Sequence, residues 1–356
     1  MVSDLKRGAG NHMKTVNVAT FFPASSYGAV LQATALNRYL RQLGFDAFLI
    51  DYQFQDMAID RKRSVKHLLF YAARRKRERL TKRFLAENVQ MTRPFLSYGD
   101  LASSELCKQL CLAGSDQIWN PKECRDFFFL RFAEQGKRIS YAASAGSTEI
   151  PPDKREKFEQ YVRAFDHLSV REGKLREVLS TFCEKPIQEH VDPTLLLSQS
   201  AWKTMARPCR TRKPYYLVFP LWWNKAFNAQ LKLLHSQTGF DIVALSESPN
   251  VYCTKRIASA GPGEFLWLFD HAQGVVTSSY HGTIFSMIFE KPFCAVINPK
   301  LPLRIESLLE KFHCEQARFG SELRFYQPVE GQIEALLTTE RERSKQFFMR
   351  VLGDIT

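Results

Sequence analysis

The chain has 356 residues, of which 45% are hydrophobic and 24% are charged, and its formal net charge at pH 7 is +13. This composition is typical of a folded globular chain and excludes a wholly disordered or a membrane-spanning protein, while the length favours two domains over one core. The positive charge favours an anionic partner, but it does not distinguish nucleic acid, an acidic membrane surface and a phosphorylated small molecule.

Local composition argues against a secreted or membrane-anchored protein and against one held by disulfides or metal ions. The first dozen residues lack the apolar core of a signal peptide, and no later stretch has the ~18 uninterrupted apolar residues of a membrane helix, so we expect a cytoplasmic protein. Eight cysteines are scattered along the chain without a Cys-x-x-Cys pair or clustered histidines. We therefore expect reduced thiols, no disulfide and no metal site.

The N-terminal segment predicts a βαβ unit of Rossmann type. A strand, KTVNVAT at 14–20, is followed by a polar loop; leucines at three- and four-residue steps then predict a helix over 31–44, and FDAFLIDY at 45–52 predicts the next strand. The loop lacks the Gly-x-Gly-x-x-Gly pattern of a dinucleotide site. By position it is either a loop that faces a small ligand or sugar, or a simple connector.

Residues 61–83 form a basic amphipathic segment. They contain eleven lysines and arginines and one glutamate, interleaved with apolar residues such as Leu68, Leu69 and Phe70. One interpretation is a helix with a solvated face; the alternative is a helix that lies on an anionic bilayer or meets a lipid-linked phosphate. Because no nucleic-acid-binding motif accompanies the charge, we do not expect nucleic acid as the partner.

Polar residues follow several predicted strands of the first half. In LCLAGSDQIWNP, at 110–121, Asp116 either hydrogen-bonds a sugar or acts as a base, or it caps a helix that starts there. A strand within 138–147 ends in small residues, and Arg171 follows the next predicted strand. Arg171 either binds a phosphate or carboxylate, or it pairs with Glu172 or another nearby acid.

The second half begins after a polar linker. An Asp-Pro turn within 190–198 leads out of the first domain, and the basic, proline-containing stretch 201–213 is typical of a linker. Strands and helices then alternate, which predicts a second Rossmann-like domain. Within it, 274–293 predicts a buried strand, a polar turn and a buried helix, with His281 at the turn. Ligands of open parallel sheets bind at such turns; the alternative is a histidine that caps the helix or packs under a loop.

Seven motifs, in order along nearly the whole chain, resemble those of the polysaccharide pyruvyl transferase family. They are YGAVLQATAL, GSDQIWNP, ISYAASAG, SVRE, VDPTLLL, GPGEFLWLF and SSYHGTIFSMIFEKPF. The resemblance implies an α/β fold in which two Rossmann-like domains face each other across a cleft, the glycosyltransferase-B arrangement. It also implies phosphoenolpyruvate as pyruvyl donor and, as acceptor, a sugar of a bacterial surface polysaccharide or its lipid-linked precursor.

The resemblance also assigns roles to individual residues. The family's site histidine falls on His281, in Ser-Ser-Tyr-His where well-studied branches have Ser-Arg-Leu-His, so Ser279 stands where those branches have an arginine. The family's lysine falls near Lys300, and the arginine of its Val-Arg-Asp segment falls on Arg171. We predict that Arg304, four residues beyond Lys300, supplies the missing cation.

The predicted sites and domains can now be stated in full. The donor site comprises Arg171, Ser278, Ser279, Gly282, Thr283, Lys300 and Arg304. The acceptor site comprises Ser26, Tyr27, Gly28, Gln32, Ser115, Asp116 and Asn120. We predict an N-terminal, acceptor-side domain over 14–205, a C-terminal, donor-side domain over 206–330, and a C-terminal helix over 331–356 that returns to the first domain.

His281 is the predicted general acid and base. Formation of a pyruvate ketal requires a proton at the methylene carbon of the donor and hydroxyl groups that trap the resulting cationic carbon, and histidine transfers protons at neutral pH. The scheme needs no metal and no cofactor, since phosphoenolpyruvate is a co-substrate. Two alternatives suit the same architecture: a glycosyltransferase with a nucleotide-sugar donor, and a non-catalytic sugar-binding assembly protein.

Overall fold

A computed structural model describes residues 14–54, 65–147, 149–211, 213–299 and 303–353, with the backbone alone at 65–70 and 303. The first half of the chain forms a parallel sheet. Its strands are β1 (Thr15–Ala19), β2 (Asp46–Leu49), β3 (Leu110–Ala113) and β4 (Arg138–Ser140), in the order β2-β1-β3-β4. A parallel pair, β5 (Leu168–Val170) and β6 (Ile187–Glu189), adjoins β4 through isolated bridges. Every residue of β3 is buried, as expected for a parallel sheet covered on both faces.

The second half forms another parallel sheet. Its strands are β7 (Tyr215–Phe219), β8 (Asp241–Ala244), β9 (Lys255–Arg256), β10 (Gly274–Thr277) and β11 (Phe293–Ala295), in the order β11-β10-β7-β8-β9. The buried β-branched run that ends at Thr277 lies in β10, between β11 and β7. The prediction of an α/β fold with two Rossmann-like halves is confirmed.

Helices connect the strands. In the first half they are α1 (Tyr27–Gln42), α2 (Val65–Asn88), α3 (Tyr98–Ala102), α4 (Pro152–Arg163), α5 (Gly173–Ser180) and α6 (Gln199–Met205). In the second half they are α7 (Lys225–Thr238), α8 (Pro262–Asp270), α9 (Tyr280–Ile288), α10 (Leu303–Lys311) and α11 (Gln332–Gly353). Across the ranges that the structure describes, no helix is both long and apolar enough to cross a membrane.

A helix start at Asp116, which the sequence left open, is absent. The described residues that follow β3 do not begin a helix at Asp116, whose φ of +74° lies in the left-handed region. Its backbone carbonyl instead accepts hydrogen bonds from the amides of Ile118, at 2.8 Å, and Ser144, at 3.1 Å. Aspartate tolerates this conformation because its short polar side chain bonds locally. The interpretation of Asp116 as a helix cap is therefore wrong.

A single apolar core joins the two halves. Its buried side chains include Val16 of β1 and Leu217 of β7. Trp202 of α6 packs edge-on against Phe285 of α9, with 5.1 Å between the ring centroids. Contacts of this kind hold the carboxyl edges of the two sheets in a defined relation, which the site requires.

The C-terminal helix α11 lies against the first half of the chain. The ring of Phe348 is 4.5 Å from the ring of Tyr141, and the Tyr141 hydroxyl donates to Ser344 Oγ at 3.0 Å. The Tyr39 hydroxyl donates to the Arg341 carbonyl at 3.1 Å. The predicted domain limits themselves stay a prediction.

Candidate active site

The carboxyl edges of the two sheets bring together residues that are distant in sequence. From the first half come Asp116 after β3, Arg171 after β5 and Asp192 after β6. From the second half come His281 after β10 and Arg304 after β11. Close contacts link the two groups: His281 faces Asp192 and Arg304 faces Asp116. Ligands of open parallel sheets bind at this edge.

His281 is held in the first turn of α9. The Ser279 side chain caps this helix by accepting a hydrogen bond from the Gly282 amide at 3.3 Å. A Cβ at Gly282 would lie 2.2 Å from the hydroxyl oxygen of Thr277, so α9 approaches β10 where only glycine fits. His281 is thereby fixed at the edge of the sheet with 7% of its surface exposed.

Asp192 connects His281 with Arg171. Its Oδ2 lies 3.5 Å from His281 Nε2 and accepts a hydrogen bond from Arg171 Nη1 at 2.8 Å. Its Oδ1 accepts from the amide and the hydroxyl of Thr194, at 3.0 and 2.7 Å. Burial alone would raise the pKa of this carboxyl, but the opposing charges of His281 and Arg171 and the Thr194 hydrogen bond hold that pKa well below its ordinary range. Asp192 is therefore a buried carboxylate.

Gly28 packs against the imidazole from the first half of the chain. It is the second residue of α1, and a Cβ at this position would lie 2.1 Å from His281 Nδ1. Any side chain here would collide with the ring. Gly28, predicted for the acceptor site, thus shares one location with the predicted catalytic residue.

Two guanidinium groups flank the ring of Tyr280. The Cζ atoms of Arg171 and Arg304 lie 4.6 and 4.8 Å from its centroid. Arg171 donates from Nε to Glu172 at 2.9 Å, and Arg304 Nη2 lies 3.8 Å from Asp116 Oδ1. Burial, followed by the charge of Arg171, lowers the pKa of Arg304.

The cations retain unused hydrogen-bonding capacity. Of the atoms in the described ranges, Arg171 Nη2 and Arg304 Nε are buried and have no hydrogen-bond partner. An unpaired buried N–H of a charged group costs more than about 1 to 3 kcal/mol, so these two N–H groups are available to a hydrogen-bond acceptor.

The other predicted donor residues shape the turn before and within α9. Ser278 Oγ accepts hydrogen bonds at 2.8 Å from two backbone amides of the loop after β7. The Thr283 hydroxyl donates to the Ser279 carbonyl at 3.1 Å. These polar atoms already have partners, so the role of these residues in binding the donor stays a prediction. Lys300 lies outside the described residues.

Apart from Gly28, the predicted acceptor residues divide into two groups. Ser26 caps α1, and the Tyr27 hydroxyl donates to the Ala260 carbonyl at 2.8 Å. The Gln32 amide donates to the Thr20 hydroxyl at 2.8 Å, and Asn120 Oδ1 accepts from the Lys122 amide at 3.1 Å. These four side chains therefore hold α1 and the loop at Asn120 in place.

Ser115 and Asp116 form the second group, which is closer to the site. The Ser115 hydroxyl is buried, and among the described residues it has no hydrogen-bond partner. Asp116 faces Arg304. A pocket with about 720 Å3 of open space adjoins Arg304 and is also lined by Ser147, Glu172 and Glu310.

Sequence reasoning missed Asp192 and Tyr280 as members of the site. Asp192 was predicted to lie in a turn that leads out of the first domain. Tyr280 was predicted only to precede His281 in the turn, with no role of its own. The available signal for Asp192 was its position shortly after a strand, which is β6 in the structure; the same signal identified Arg171 after β5.

Two solved structures have comparable folds. The UDP-GlcNAc 2-epimerase from Methanocaldococcus jannaschii is 12% identical, with a TM-score of 0.51 over 96% of this chain and 99% of that chain. The MnaA–UDP co-structure from S. aureus is 10% identical, with a TM-score of 0.52 over 95% of this chain and 89% of that chain. At these identities the likeness concerns the fold, which is of the glycosyltransferase-B type.

The sequence comparison defines the family. Residues 27–299, most of the chain, match the family described as polysaccharide pyruvyl transferase. No curated protein matches the sequence. The chain belongs to the polysaccharide pyruvyl transferase family and is a transferase.

Proposed function

We propose that this transferase moves the pyruvyl group of phosphoenolpyruvate onto a sugar of a bacterial surface polysaccharide or of its lipid-linked precursor. The observation that carries the proposal is the pair of guanidinium groups, Arg171 and Arg304, which have buried and unpaired N–H groups and lie against the ring of Tyr280, the residue before His281. Phosphoenolpyruvate presents a carboxylate and a phosphate, the groups that guanidinium recognises best.

His281 is the proton-transferring group in this proposal. It gives a proton to the methylene carbon of phosphoenolpyruvate, whose double-bond electrons form the new C–H bond and leave C2 cationic. One acceptor hydroxyl adds to C2 and returns its proton to the imidazole; a second hydroxyl then replaces phosphate, which leaves with that hydroxyl's proton. General acid–base catalysis contributes roughly a hundredfold to ten-thousandfold, and the arginines stabilise the charge of the leaving phosphate.

The acceptor sugar is proposed to lie at Asp116 and in the adjoining pocket. The unpaired Ser115 hydroxyl and the carboxylates of Asp116 and Glu172 are suitable partners for sugar hydroxyls. Because the pocket is open to solvent, it accommodates a sugar that is attached to a larger carrier.

Specific observations favour a second candidate, a glycosyltransferase that uses a nucleotide-sugar donor. Ser279 stands where well-studied branches of the family carry an arginine, and the structurally similar S. aureus MnaA is described in complex with UDP. The two candidates differ in the role of Arg304: only in the pyruvyl transferase does Arg304 replace the family arginine as a ligand of phosphoenolpyruvate. A non-catalytic sugar-binding protein is the third candidate.

Release of the leaving group separates these candidates. The purified protein is incubated with a panel of acceptor sugars and either phosphoenolpyruvate or sugar nucleotides. We expect acceptor-dependent release of phosphate from phosphoenolpyruvate. Release of a nucleotide would instead favour the glycosyltransferase, and binding of an acceptor with neither product would favour the non-catalytic protein.

The exposed face of α2 is proposed to contact an anionic membrane surface. Arg75, Lys76, Arg79 and the pair Lys82–Arg83 are exposed, whereas Arg74 and Arg77 pair with Glu247 of the second half at 2.6 and 2.9 Å. The latter two stabilise packing between the halves. The side chains of Leu68, Leu69 and Phe70 lie outside the described part, so the membrane proposal depends on the exposed cations.

A further inference from the structure

We infer that Asp192 is a positioning residue for His281: it holds the Nε2 side of the imidazole, so that Nδ1 is the atom that exchanges protons with the substrate. The inference rests on the proposed role of His281 as the proton-transferring group. It adds to that role the tautomer, the reacting atom and two residues, Asp192 and Gly28, that make the arrangement work.

The first observation is the surroundings of Nε2. This atom is buried and lies 3.5 Å from Asp192 Oδ2, and within the described ranges no group hydrogen-bonds to it. A carboxylate is an acceptor only. In the neutral imidazole, a proton on Nε2 faces that carboxylate favourably, whereas a lone pair on Nε2 would be repelled by it. A small movement of the ring converts the contact into a hydrogen bond.

The second observation is that Asp192 is itself fixed. Three hydrogen bonds, from Arg171 and from the amide and hydroxyl of Thr194, occupy both of its oxygens at 2.7 to 3.0 Å. Its side chain is fully buried. A carboxylate that is held in this way cannot rotate towards the substrate, and its free lone pair on Oδ2 is directed at the imidazole. It therefore orients His281 rather than reacting itself.

The third observation is the contact between Gly28 and the imidazole. A Cβ at Gly28 would lie 2.1 Å from Nδ1 and 2.4 Å from Cγ, so only glycine lets α1 pack against the ring and hold it with Nε2 towards Asp192. Glycine is unfavourable within a helix by roughly 0.5 to 1 kcal/mol relative to alanine, and Gly28 lies in the first turn of α1. The glycine is therefore explained by the approach of His281 and not by the helix.

These three observations assign the two nitrogens different tasks. Nε2–H is directed at Asp192, and Nδ1 carries the lone pair or the transferable proton. Loss of an orienting carboxylate in this kind of pair lowers kcat by up to ~10⁴-fold in serine proteases, because the imidazole adopts the other tautomer. We expect a loss of at least about a hundredfold here.

The test is nitrogen NMR of the full-length protein with ¹⁵N-labelled histidine. The His281 signals are identified by their absence in His281→Gln. In the neutral form we expect the proton on Nε2 in the unmodified protein and on Nδ1 in Asp192→Asn, because the asparagine amide presents N–H groups. A proton on Nδ1 in the unmodified protein, or an unchanged tautomer in Asp192→Asn, would overturn the inference.

Glu172→Gln is the matched control, since Glu172 is the other carboxylate partner of Arg171 but is not in contact with His281. We expect it to raise the KM for phosphoenolpyruvate or for the acceptor and to leave the His281 tautomer unchanged, whereas Asp192→Asn lowers kcat. Equal kinetic effects of the two changes would show that Asp192 acts through Arg171 alone and would also overturn the inference.

Gly28→Ala keeps the test informative if Asp192→Asn does not fold. We expect this variant to retain α1 but to displace the imidazole, with a shifted Nδ1 resonance and a loss of turnover. An unperturbed Nδ1 signal would contradict the assignment. Because the resonances are measured without substrate, this test is separate from the proposed function: absence of pyruvyl transfer with the expected tautomer would reject the donor and not the pairing.

Discussion

At the residue scale, the site combines side chains that are fixed by hydrogen bonds with side chains that have unused hydrogen-bond donors. Asp192 is bonded on both oxygens, while Arg171 Nη2 and Arg304 Nε are buried without partners in the described part of the chain. Proteins seldom leave such atoms unpaired, and the proposed function assigns these two to the anionic groups of phosphoenolpyruvate.

The first prediction concerns His281→Gln. Glutamine keeps a polar side chain of similar size but cannot transfer a proton, so we expect turnover to fall by at least about a hundredfold with the fold intact. Steady-state kinetics with thermal unfolding as a control measures this. Unchanged turnover would remove His281 from the mechanism.

The second prediction concerns Arg304, the proposed replacement for the family arginine. Arg304→Ala should raise the KM for phosphoenolpyruvate by roughly tenfold or more, because a hydrogen bond to a charged group contributes about 1.5 to 3 kcal/mol. Arg304→Lys should recover part of the loss. Arg324→Ala, at an exposed arginine, is the control. If only the KM for the acceptor rose, the donor site would have to be placed elsewhere.

At the element scale, the short helices α9 and α10 carry His281 and Arg304, and the long helix α2 contacts the second half of the chain. Leu80 of α2 packs directly against Gly261. A Cβ at Gly261 would lie 2.6 Å from the Leu80 side chain and would collide with it. The sequence predicted the basic amphipathic character of this segment. It did not predict that Arg74 and Arg77 pair with Glu247, because that partner is distant in sequence.

The third prediction separates the exposed cations of α2 from the paired ones. Vesicles with anionic lipid should sediment the protein at low salt, since each basic residue near such a surface contributes about 1 kcal/mol. Reversing the charge of Arg75, Lys76 and Arg79 should abolish this binding. Reversal at Lys122, Arg155 and Arg324, which are exposed on other elements, should weaken it much less. Equal losses in both triple variants would point to net charge alone and reject a membrane face on α2.

At the scale of the whole molecule, a shared core and α11 join the two halves. His190, at the end of β6, is fully buried against Phe347 of α11, with 4.7 Å between ring centroids. Its Nδ1 lies 2.8 Å from Ser169 Oγ. Burial, aided by the charge of Arg343, lowers the pKa of His190 to about 3. This histidine is therefore buried in its neutral form.

The fourth prediction follows from the lowered pKa of His190. An unfolded histidine has a pKa of about 6.5, so below that pH the unfolded chain binds a proton that the folded chain does not bind. The free energy of unfolding should fall by about 2 kcal/mol from about pH 7.5 to about pH 5 through this residue. Chemical denaturation of the protein and of His190→Gln checks it. The same pH dependence in both proteins would contradict the assignment.

The two sheets and the turn at His281 could be predicted because strand, loop and helix signals are local in sequence. The pairing of Asp192 with His281 could not, because the two residues belong to different halves and meet only when both sheets pack on the shared core. The sequence also left open whether Asp116 caps a helix, because it does not show that the amide of Ser144, from the loop after β4, fixes the Asp116 backbone.

Mass spectrometry of the acceptor after incubation with phosphoenolpyruvate tests the central claim most directly. The account predicts a product heavier than the acceptor by pyruvic acid less one water, formed together with phosphate and absent with His281→Gln. Sugar nucleotides should give no product. A product whose mass increases by one sugar, formed from a sugar nucleotide and not from phosphoenolpyruvate, would contradict the account.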